Sequence, residues 1–451
     1  MMPLRRVSGM PGCGVMVIVW SWHPSIRSER CSHLITSRAH LIERLHQASE
    51  TEHSLCCQYL YAAFSLRRTL ADFPEQSRGD TAELVMTATQ AWAYAIYYIA
   101  RQEMEHLAIA TNLLTAIGER PHLSHGDYPD TRLAVLLQNP MILERCNEQA
   151  LRRFQFFERP KGPGFEPPPA VETIYLDIQT LFGTLPAGEL FIGEGERQID
   201  SSDVELGLAM QIPAVTSRAT AVQAVDLVLE QGEGLGASVL SKDTHFARFN
   251  EVLQSYLQIS KLGLEPSLPV VNNPVSRGGT AAIPEGATVV TNGFSAALMD
   301  FFDEGYRLML IMLKEFLWGF RGYSGMFEAV EALKTTAEMQ ANRRVTILSE
   351  NAYYPFMTMF IRPVGELLAR QPAFEDTRDP ARAGASFRTG GGIPIWTDIE
   401  QYVNGVAALE SRAAALAKDA PDRPVRDALT YVSQNLSRMR MNILNVWNQS
   451  G

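Results

Sequence analysis

The sequence predicts an all-α protein: a four-helix bundle with a small irregular or β insertion and additional C-terminal helices. One long segment carries most of this prediction. Residues 81–117 contain neither glycine nor proline, and at about 1.5 Å per residue they would form a helix about 55 Å long. Helices of that length are common in four-helix bundles. The last third of the chain, which also reads as mostly helical, supplies the additional helices.

The first predicted helix spans residues 37–70, where apolar residues recur at steps of three and four, the spacing of one helix face. A loop with Pro74 and Gly79 separates it from the long helix. Gly118 stands where the C-terminal cap of the long helix is expected, and Pro121 follows soon after. This order of residues is typical of a helix end.

Shorter elements follow. The helical pattern recurs in the segments 141–157, 171–182, 219–231, 243–259, 296–320, 326–348, 356–368 and twice after residue 396. A break rich in proline and glycine covers 159–169, and short apolar clusters predict a small β element within 190–213. We therefore expect four regions: a disordered leader or misassigned start (1–35), a bundle (36–260) with an insertion at about 122–216, a linker (261–295), and C-terminal helices (296–451) packing on the bundle.

Composition excludes several classes of protein. Apolar residues make up 46% and charged residues 20%, with a net charge of −10, which argues against a disordered chain and a general nucleic-acid binder. No apolar stretch is long enough to span a membrane. The five cysteines show no CxxC spacing, so a disulfide framework and a thiolate zinc site are both disfavoured. Free thiols favour the cytoplasm. The expected partners are a small-molecule substrate and either a second copy of the chain or a pathway enzyme.

The sharpest motif lies inside the long helix. Glu103 and His106 are three residues apart and share one helix face, so both can bind one divalent metal. Glu-x-x-His is a signature of carboxylate-bridged di-metal bundles. The alternative is a solvated pair, but the neighbouring residues are apolar or small, which favours burial and hence a metal or other partner.

Three further residues complete a candidate metal set. Glu52 precedes an apolar helical stretch, although a solvated turn is equally compatible with it. Glu233 lies between Gly232 and Gly234, and small neighbours allow close approach to a crowded site. His245 opens a helix beside phenylalanines, where a core histidine is the alternative. Together with Glu103 and His106, these residues approach the ligand inventory of a di-iron carboxylate site.

These motifs also resemble a known family. The resemblance rests on Glu52–Leu60, Glu103–His106, Asn112–Gly118, Glu189–Gly193, Gln198–Ile199, Gln231–Gly234, His245–Phe249 and Arg362–Leu368. In this order they resemble the ferritin-like domain of the iminophenyl-pyruvate dimer synthase family, large members of which act in bis-indole pigment pathways. The resemblance spans most of residues 36–390.

The resemblance implies metal ligands at Glu52, Glu103, His106, Glu233 and His245, and a sixth carboxylate from the short helix near Tyr175. Glu172 is the nearest acid there, and Glu230 is the alternative. In this hypothesis Glu103 and one further carboxylate bridge two metals. Glu52 and Glu233 bind terminally, and each histidine supplies nitrogen to one metal.

The predicted function is that of a di-metal oxidase or oxygenase, with two irons, or manganese instead, and O₂ as co-substrate. The substrate would be a small amino-acid-derived molecule of secondary metabolism. A non-catalytic ferritin-like metal-binding or scaffold protein of a biosynthetic complex is the alternative. The catalytic residues beyond the metal ligands stay unassigned at this stage.

Overall fold

The computed structural model describes residues 37–160, 170–193, 197–201, 210–232, 243–277, 282–319, 336–376 and 378–449. The predicted leader, residues 1–35, lies outside these ranges. The α-helices, in chain order, are α1 (Arg38–Phe64), α2 (Asp80–Ala116), α3 (Ala134–Leu137), α4 (Glu148–Phe157), α5 (Ala170–Thr184), α6 (Ala187–Leu190), α7 (Arg218–Gly232), α8 (His245–Ile259), α9 (Gly293–Trp318), α10 (Thr336–Leu348), α11 (Tyr354–Phe356), α12 (Arg362–Leu368), α13 (Ile399–Lys418) and α14 (Arg423–Gln449).

Shorter elements link these helices. Two π-helical segments flank α11, and single 3₁₀ turns lie at Leu70–Asp72, Glu75–Ser77 and Ser260–Leu262; the π-helical segments are Ser349–Tyr353 and Met357–Ile361. Strands β1 (Pro274–Val275) and β2 (Thr288–Val289) pair in parallel. The predicted all-α class is confirmed. None of the described helices is long and apolar enough to cross a membrane.

The two long helices α1 and α2 pack along each other and form the centre of the bundle. Ser37 caps α1 by accepting a hydrogen bond from the backbone N–H of His40 at 3.2 Å, which satisfies one of the free donors at the helix start. The predicted end of α2 is confirmed. Gly118 adopts a φ of +79°, and the next residue, Glu119, donates its N–H to Leu114 O at 2.9 Å.

Pairs of short helices fill the other two positions of the bundle. Helix α5 packs on α1, and α7 packs on α5 and α2, whereas α8 packs on α2 and pairs with α4. Arg44, in the first half of α1, forms an ion pair with Asp177 of α5. Tyr59, in the second half of α1, packs against Phe154 of α4 and Phe249 of α8. The short helices therefore cover opposite halves of α1.

One local prediction is wrong, and a second, the β element within 190–213, falls partly outside the described residues. The helix expected from Met141 begins only at Glu148, because the side chain of Asn147 caps it by accepting from Ala150 N at 2.7 Å. Met141 instead forms an isolated bridge with Asp130. Among the residues described between 190 and 213, none forms a strand. The small parallel pair lies in the segment predicted to be a loop, where Thr288 N donates to Asn273 O.

The C-terminal helices share one hydrophobic core with the bundle. Helix α9 packs on α2 and on α13, α12 packs on α1, and α13 pairs with α14. Close approach depends on glycine at two positions: a Cβ at Gly305 would lie 2.0 Å from the Phe360 ring, and a Cβ at Gly365 would lie 2.3 Å from the Phe64 ring. The first contact joins α9 to the second π-helical segment, and the second holds α12 against α1 of the bundle.

Gly305→Ala should lower the free energy of unfolding by about 1–3 kcal/mol, because the added methyl must displace the buried Phe360 ring. Gly183→Ala is the matched control: it lies in α5, and a Cβ there meets nothing within 4 Å. The control should leave stability unchanged or raise it by up to about 1 kcal/mol. Urea unfolding followed by circular dichroism measures both, and equal midpoints for the two variants would contradict the packing described.

Candidate metal centre

Five buried ionisable side chains meet inside the bundle, and each comes from a defined place in the fold. Glu52 lies on α1, Glu103 and His106 on α2, Glu158 directly follows α4, and His245 is the first residue of α8. Their exposed fractions run from 0% to 6%. The alternatives of a solvated pair or turn for Glu52, Glu103 and His106 therefore do not apply. Buried charges require partners or a metal.

The carboxylate of Glu103 lies between the two imidazoles. Its Oε2 is 3.3 Å from His106 Nδ1 and its Oε1 is 3.0 Å from His245 Nδ1. Each imidazole nitrogen also faces a second carboxylate: Glu52 Oε2 at 3.5 Å from His106, and Glu158 Oε2 at 3.3 Å from His245. The centre thus has two similar halves that share Glu103, and in each half the donor atoms lie within 4.8 Å of one another.

A tyrosine holds the outer carboxylate in each half. Tyr175 of α5 donates its hydroxyl to Glu52 Oε1 at 2.7 Å, and Tyr59 of α1 donates to Glu158 Oε1. Both tyrosines are fully buried. A carboxylate with one oxygen bound in this way keeps its other oxygen directed at the imidazole of its own half, which pre-organises that oxygen as a ligand.

A glutamine holds the outer nitrogen of each imidazole. His106 Nε2 lies 2.9 Å from Gln231 Oε1, and His245 Nε2 lies 3.2 Å from Gln102 Oε1. Gln231 also donates its amide to Glu105 at 2.8 Å, which directs its oxygen towards His106. Because an amide oxygen only accepts, both Nε2 atoms carry hydrogen. The Nδ1 atoms are then the positions that face the carboxylates.

Burial and mutual contacts shift the pKa values of the ionisable groups in the centre. Burial raises the pKa of Glu52 to about 7. Burial and Glu158 would raise the pKa of Glu103 too, but the two imidazoles outweigh them and the pKa is lowered. Burial opposes protonation of His106 and His245, yet the carboxylates hold both pKa values above the usual range, that of His245 at about 9.

This donor set fits a pair of divalent cations. Three carboxylates buried together repel one another, and protons on the two Nδ1 atoms offset only part of that charge. Cations held between the carboxylates and the Nδ1 atoms would replace those protons. The set of carboxylate oxygens and imidazole nitrogens suits iron or manganese. A cavity of about 10 Å³ between Glu52, Glu103, His106 and Glu158 has room for roughly one water-sized sphere.

A larger apolar cavity of about 240 Å³ reaches the centre at Glu103. Its walls come from α1 and α2 on one side and from α9, the second π-helical segment and Phe387 on the other. Arg101 and Arg362 also line it. A molecule in this cavity would lie next to Glu103.

The other predicted ligands fall in three places. Glu172 is buried in α5, but it belongs to neither cluster of donor atoms among the described residues. Glu230 is exposed near the end of α7 and lines a separate surface cavity. Glu233 lies outside the described residues, directly after Gly232, whose position borders the centre: a Cβ there would lie 3.6 Å from Glu158 Oε2.

Glu158 is the carboxylate that sequence reasoning missed. It stands at the start of the proline- and glycine-rich break, where a solvated residue is expected. A signal was nevertheless available, because Leu151, Phe154 and Glu158 are spaced to share one helix face, and Leu151 and Phe154 are buried. An acid that continues a buried apolar stripe is a candidate for a partnered site.

Comparison with known proteins agrees with this architecture. Residues 45–254 match the family described as ferritin-like. The chain is 26% identical over 393 residues to dichlorochromopyrrolate synthase of Lentzea aerocolonigenes, covering 78% of this chain and 36% of that protein. It is 27% identical over 371 residues to 2-imino-3-(indol-3-yl)propanoate dimerase of Chromobacterium violaceum, covering 75% and 33%. The chain thus spans about a third of the length of these relatives.

A solved structure, a ferritin-like protein from Caulobacter vibrioides, is 17% identical and covers 60% of this chain and 83% of that one, with a TM-score of 0.35. That score is too low to add to the argument. The family match and the two relatives confirm the resemblance noted in the sequence.

Tyr175→Phe in the metal-free protein should lower the free energy of unfolding by about 1.5–3 kcal/mol at a pH well above the pKa of Glu52, because it removes a hydrogen bond to a buried charge. The comparison variant is Tyr402→Phe, whose buried hydroxyl donates to the neutral carbonyl of Trp396 at 3.2 Å. It should cost about 0.5–1.5 kcal/mol. Urea unfolding measures both, and equal losses would show that Glu52 is not a charged acceptor.

Proposed function

We propose that this chain, whose residues 45–254 match the ferritin-like family, is a ferritin-like di-iron oxidase or oxygenase that uses O₂ on a small amino-acid-derived substrate. The observation that carries the proposal is the arrangement of Glu103 between His106 and His245, with Glu52 and Glu158 outside them. One relative is named as a synthase of dichlorochromopyrrolate, and the other as a dimerase of an indole-bearing imino acid. That kinship supports a role in secondary metabolism.

The chain's own residues would hold two cations in equivalent positions. Glu52 and His106 would bind one, Glu158 and His245 the other, and Glu103 would bridge them. With two iron ions bound, this ligand set would supply the redox chemistry needed to reduce O₂, and manganese is the alternative metal. The tyrosines and glutamines behind the ligands would orient them, as outer partners commonly do in metal sites.

The cavity beside Glu103 supports catalysis and indicates the class of substrate. Its volume of about 240 Å³ lies just below the roughly 300–1,000 Å³ of typical ligand pockets, so it suits a small molecule. Most of its walls are apolar, which suits an aromatic or aliphatic side chain. The guanidinium groups of Arg101 and Arg362 would attract a carboxylate. Apolar walls combined with cationic groups fit an amino-acid-derived molecule.

One observation favours the second candidate, a non-catalytic metal-binding or scaffold protein. The chain spans only about a third of each relative, so the relatives' reactions can depend on parts that this chain does not match. The ferrous protein separates the two functions. Rapid O₂ consumption that depends on an added aromatic α-imino or α-amino acid supports the oxidase, and O₂ consumption unaffected by any such compound supports the scaffold.

Glu103→Gln should reduce the iron content from two per chain and lower O₂ consumption by at least about 100-fold, since even outer partners of metal ligands contribute about 10–100-fold. Glu83→Gln is the control, because Glu83 is exposed on the same helix. Iron analysis and an oxygen electrode provide the measurements. A wild-type protein that binds one zinc or no metal after growth with iron would end the di-iron proposal.

Glu158→Gln and Glu172→Gln separate the carboxylate that the structure brings to the centre from the one that the resemblance suggested. We expect Glu158→Gln to lose the second iron and Glu172→Gln to keep both, because only Glu158 lies with Glu103 and His245. Iron content and the Mössbauer spectrum of the ⁵⁷Fe-loaded variants report the result. Loss of an iron in Glu172→Gln alone would show that Glu172, not Glu158, completes the centre.

A further inference from the structure

A second cluster of metal-binding side chains lies beside the first but uses different donors. His53 and Cys57 are four residues apart on α1 and share one face, His125 lies in the loop after α2, and Tyr306 lies on α9. Their exposed fractions are between 1% and 7%. A ligand atom from each of His53, Cys57 and His125 lies within 4.8 Å of the other two. His125 is therefore buried although it lies in a loop.

Backbone carbonyls fix the orientation of both imidazoles. His53 Nδ1 lies 3.0 Å from Leu123 O, and His125 Nδ1 lies 2.7 Å from Gly126 O. Because a carbonyl oxygen only accepts, both Nδ1 atoms carry hydrogen and both Nε2 atoms present lone pairs. An N–H donated to a backbone carbonyl behind the ring is the usual arrangement of a metal-binding histidine.

The lone pairs converge on one phenol oxygen. Tyr306 Oη lies 2.5 Å from His53 Nε2, 3.1 Å from His125 Nε2 and 3.2 Å from Cys57 Sγ. These three contacts share two protons, one on the phenol and one on the thiol. One contact therefore joins two lone pairs. Burial disfavours adding a third proton, because a charged ring would lose its hydration.

We propose that His53 Nε2, His125 Nε2 and Cys57 Sγ bind one zinc-like divalent cation, with the phenol oxygen of Tyr306 as the fourth donor. Two imidazoles, one thiolate and one oxygen make the four-coordinate set that zinc prefers. A cation bound between the four donor atoms would accept the lone pairs that have no proton to bind. The donors also differ in kind from the carboxylate-rich centre, so the two sites select different metals.

The absence of CxxC spacing disfavoured a thiolate zinc site, and this cluster shows how one is assembled without it. A single thiolate comes from α1, and the remaining donors come from the same helix, a loop and a distant helix. The cation would also border the 240 Å³ cavity, because His53, Cys57 and Tyr306 line it together with Glu103. It would then face a carboxylate or carbonyl oxygen of a molecule bound in that cavity.

Titration with Co²⁺ tests the site in the full chain, because cobalt bound to a thiolate gives a strong sulfur-to-metal charge-transfer band, whereas carboxylate and imidazole ligands do not. The background carries Cys13→Ser and Cys31→Ser, since those two thiols lie outside the described residues. We expect the intensity of the saturated band to correspond to one thiolate-bound cobalt per chain, and the band to be lost on addition of zinc. No band in the folded protein would overturn the proposal.

Variants test whether the charge-transfer band comes from cobalt bound at this cluster. Cys57→Ser and His125→Gln should abolish it, and Cys146→Ser should leave it unchanged, because Cys146 is a buried thiol outside the cluster. Glu103→Gln should also retain the band, which separates this site from the di-iron proposal. A band that survives Cys57→Ser would refute the assignment.

X-ray absorption of the zinc-loaded protein gives a result that does not depend on the folding of any variant. One Zn–S distance of about 2.3 Å is expected, with the remaining ligands nitrogen or oxygen at about 2.0–2.2 Å. A zinc shell without sulfur would overturn the site.

Discussion

The charge of Glu103, held between two imidazoles in the middle of the bundle, is the constraint on which the rest of the structure depends. A buried carboxylate is tolerated only where opposite charge or hydrogen-bond donors surround it. Here the donors are His106, from α2 itself, and His245, from the start of α8. The outer acids Glu52 and Glu158 lie on α1 and at the end of α4. The short helices must therefore stop where they do, since their ends deliver the ligands of one half.

How much of this was predictable depends on how far each contact reaches along the chain. Glu103 and His106 could be recognised because helix geometry alone places residues three apart on one face. The long helix itself, and its end at Gly118, follow from equally local rules. Glu52 and His245 could be proposed as candidates, but only the packing of α1 and α8 on α2 brings them to the same carboxylate.

Glu158 was harder to recognise, because the local spacing with Leu151 and Phe154 marks it only as a buried acid, and its role depends on the pairing of α4 with α8. The same limit applies to the cluster around Tyr306, where His53 and Tyr306 are 253 residues apart. The small parallel pair was also misplaced. Its two strands are only two residues long each, which is too short for alternation of apolar residues to indicate them.

The C-terminal helices supply a cavity wall that the bundle alone does not provide. Helix α9 and the π-helical segment after α11 close one side of the cavity next to Glu103. Gly305 lets α9 contact the Phe360 ring of that segment, and Gly365 lets α12 contact the Phe64 ring of α1. π-Helical turns within helices are frequent at functional sites. Here the second such segment contributes Met357, Thr358 and Ile361 to the cavity wall.

Two of the four positions in the bundle are occupied by pairs of short helices instead of one long helix. The two halves of the metal centre are therefore held by helices of different length. Glu52, Glu103 and His106 lie within the long helices α1 and α2. Glu158 instead follows the last residue of α4, and His245 is the first residue of α8. Thermal fluctuation is greatest at such ends. The half that contains Glu52 and His106 is consequently more rigid than the half that contains Glu158 and His245. Movement of α4 and α8 would change the geometry of the second half only.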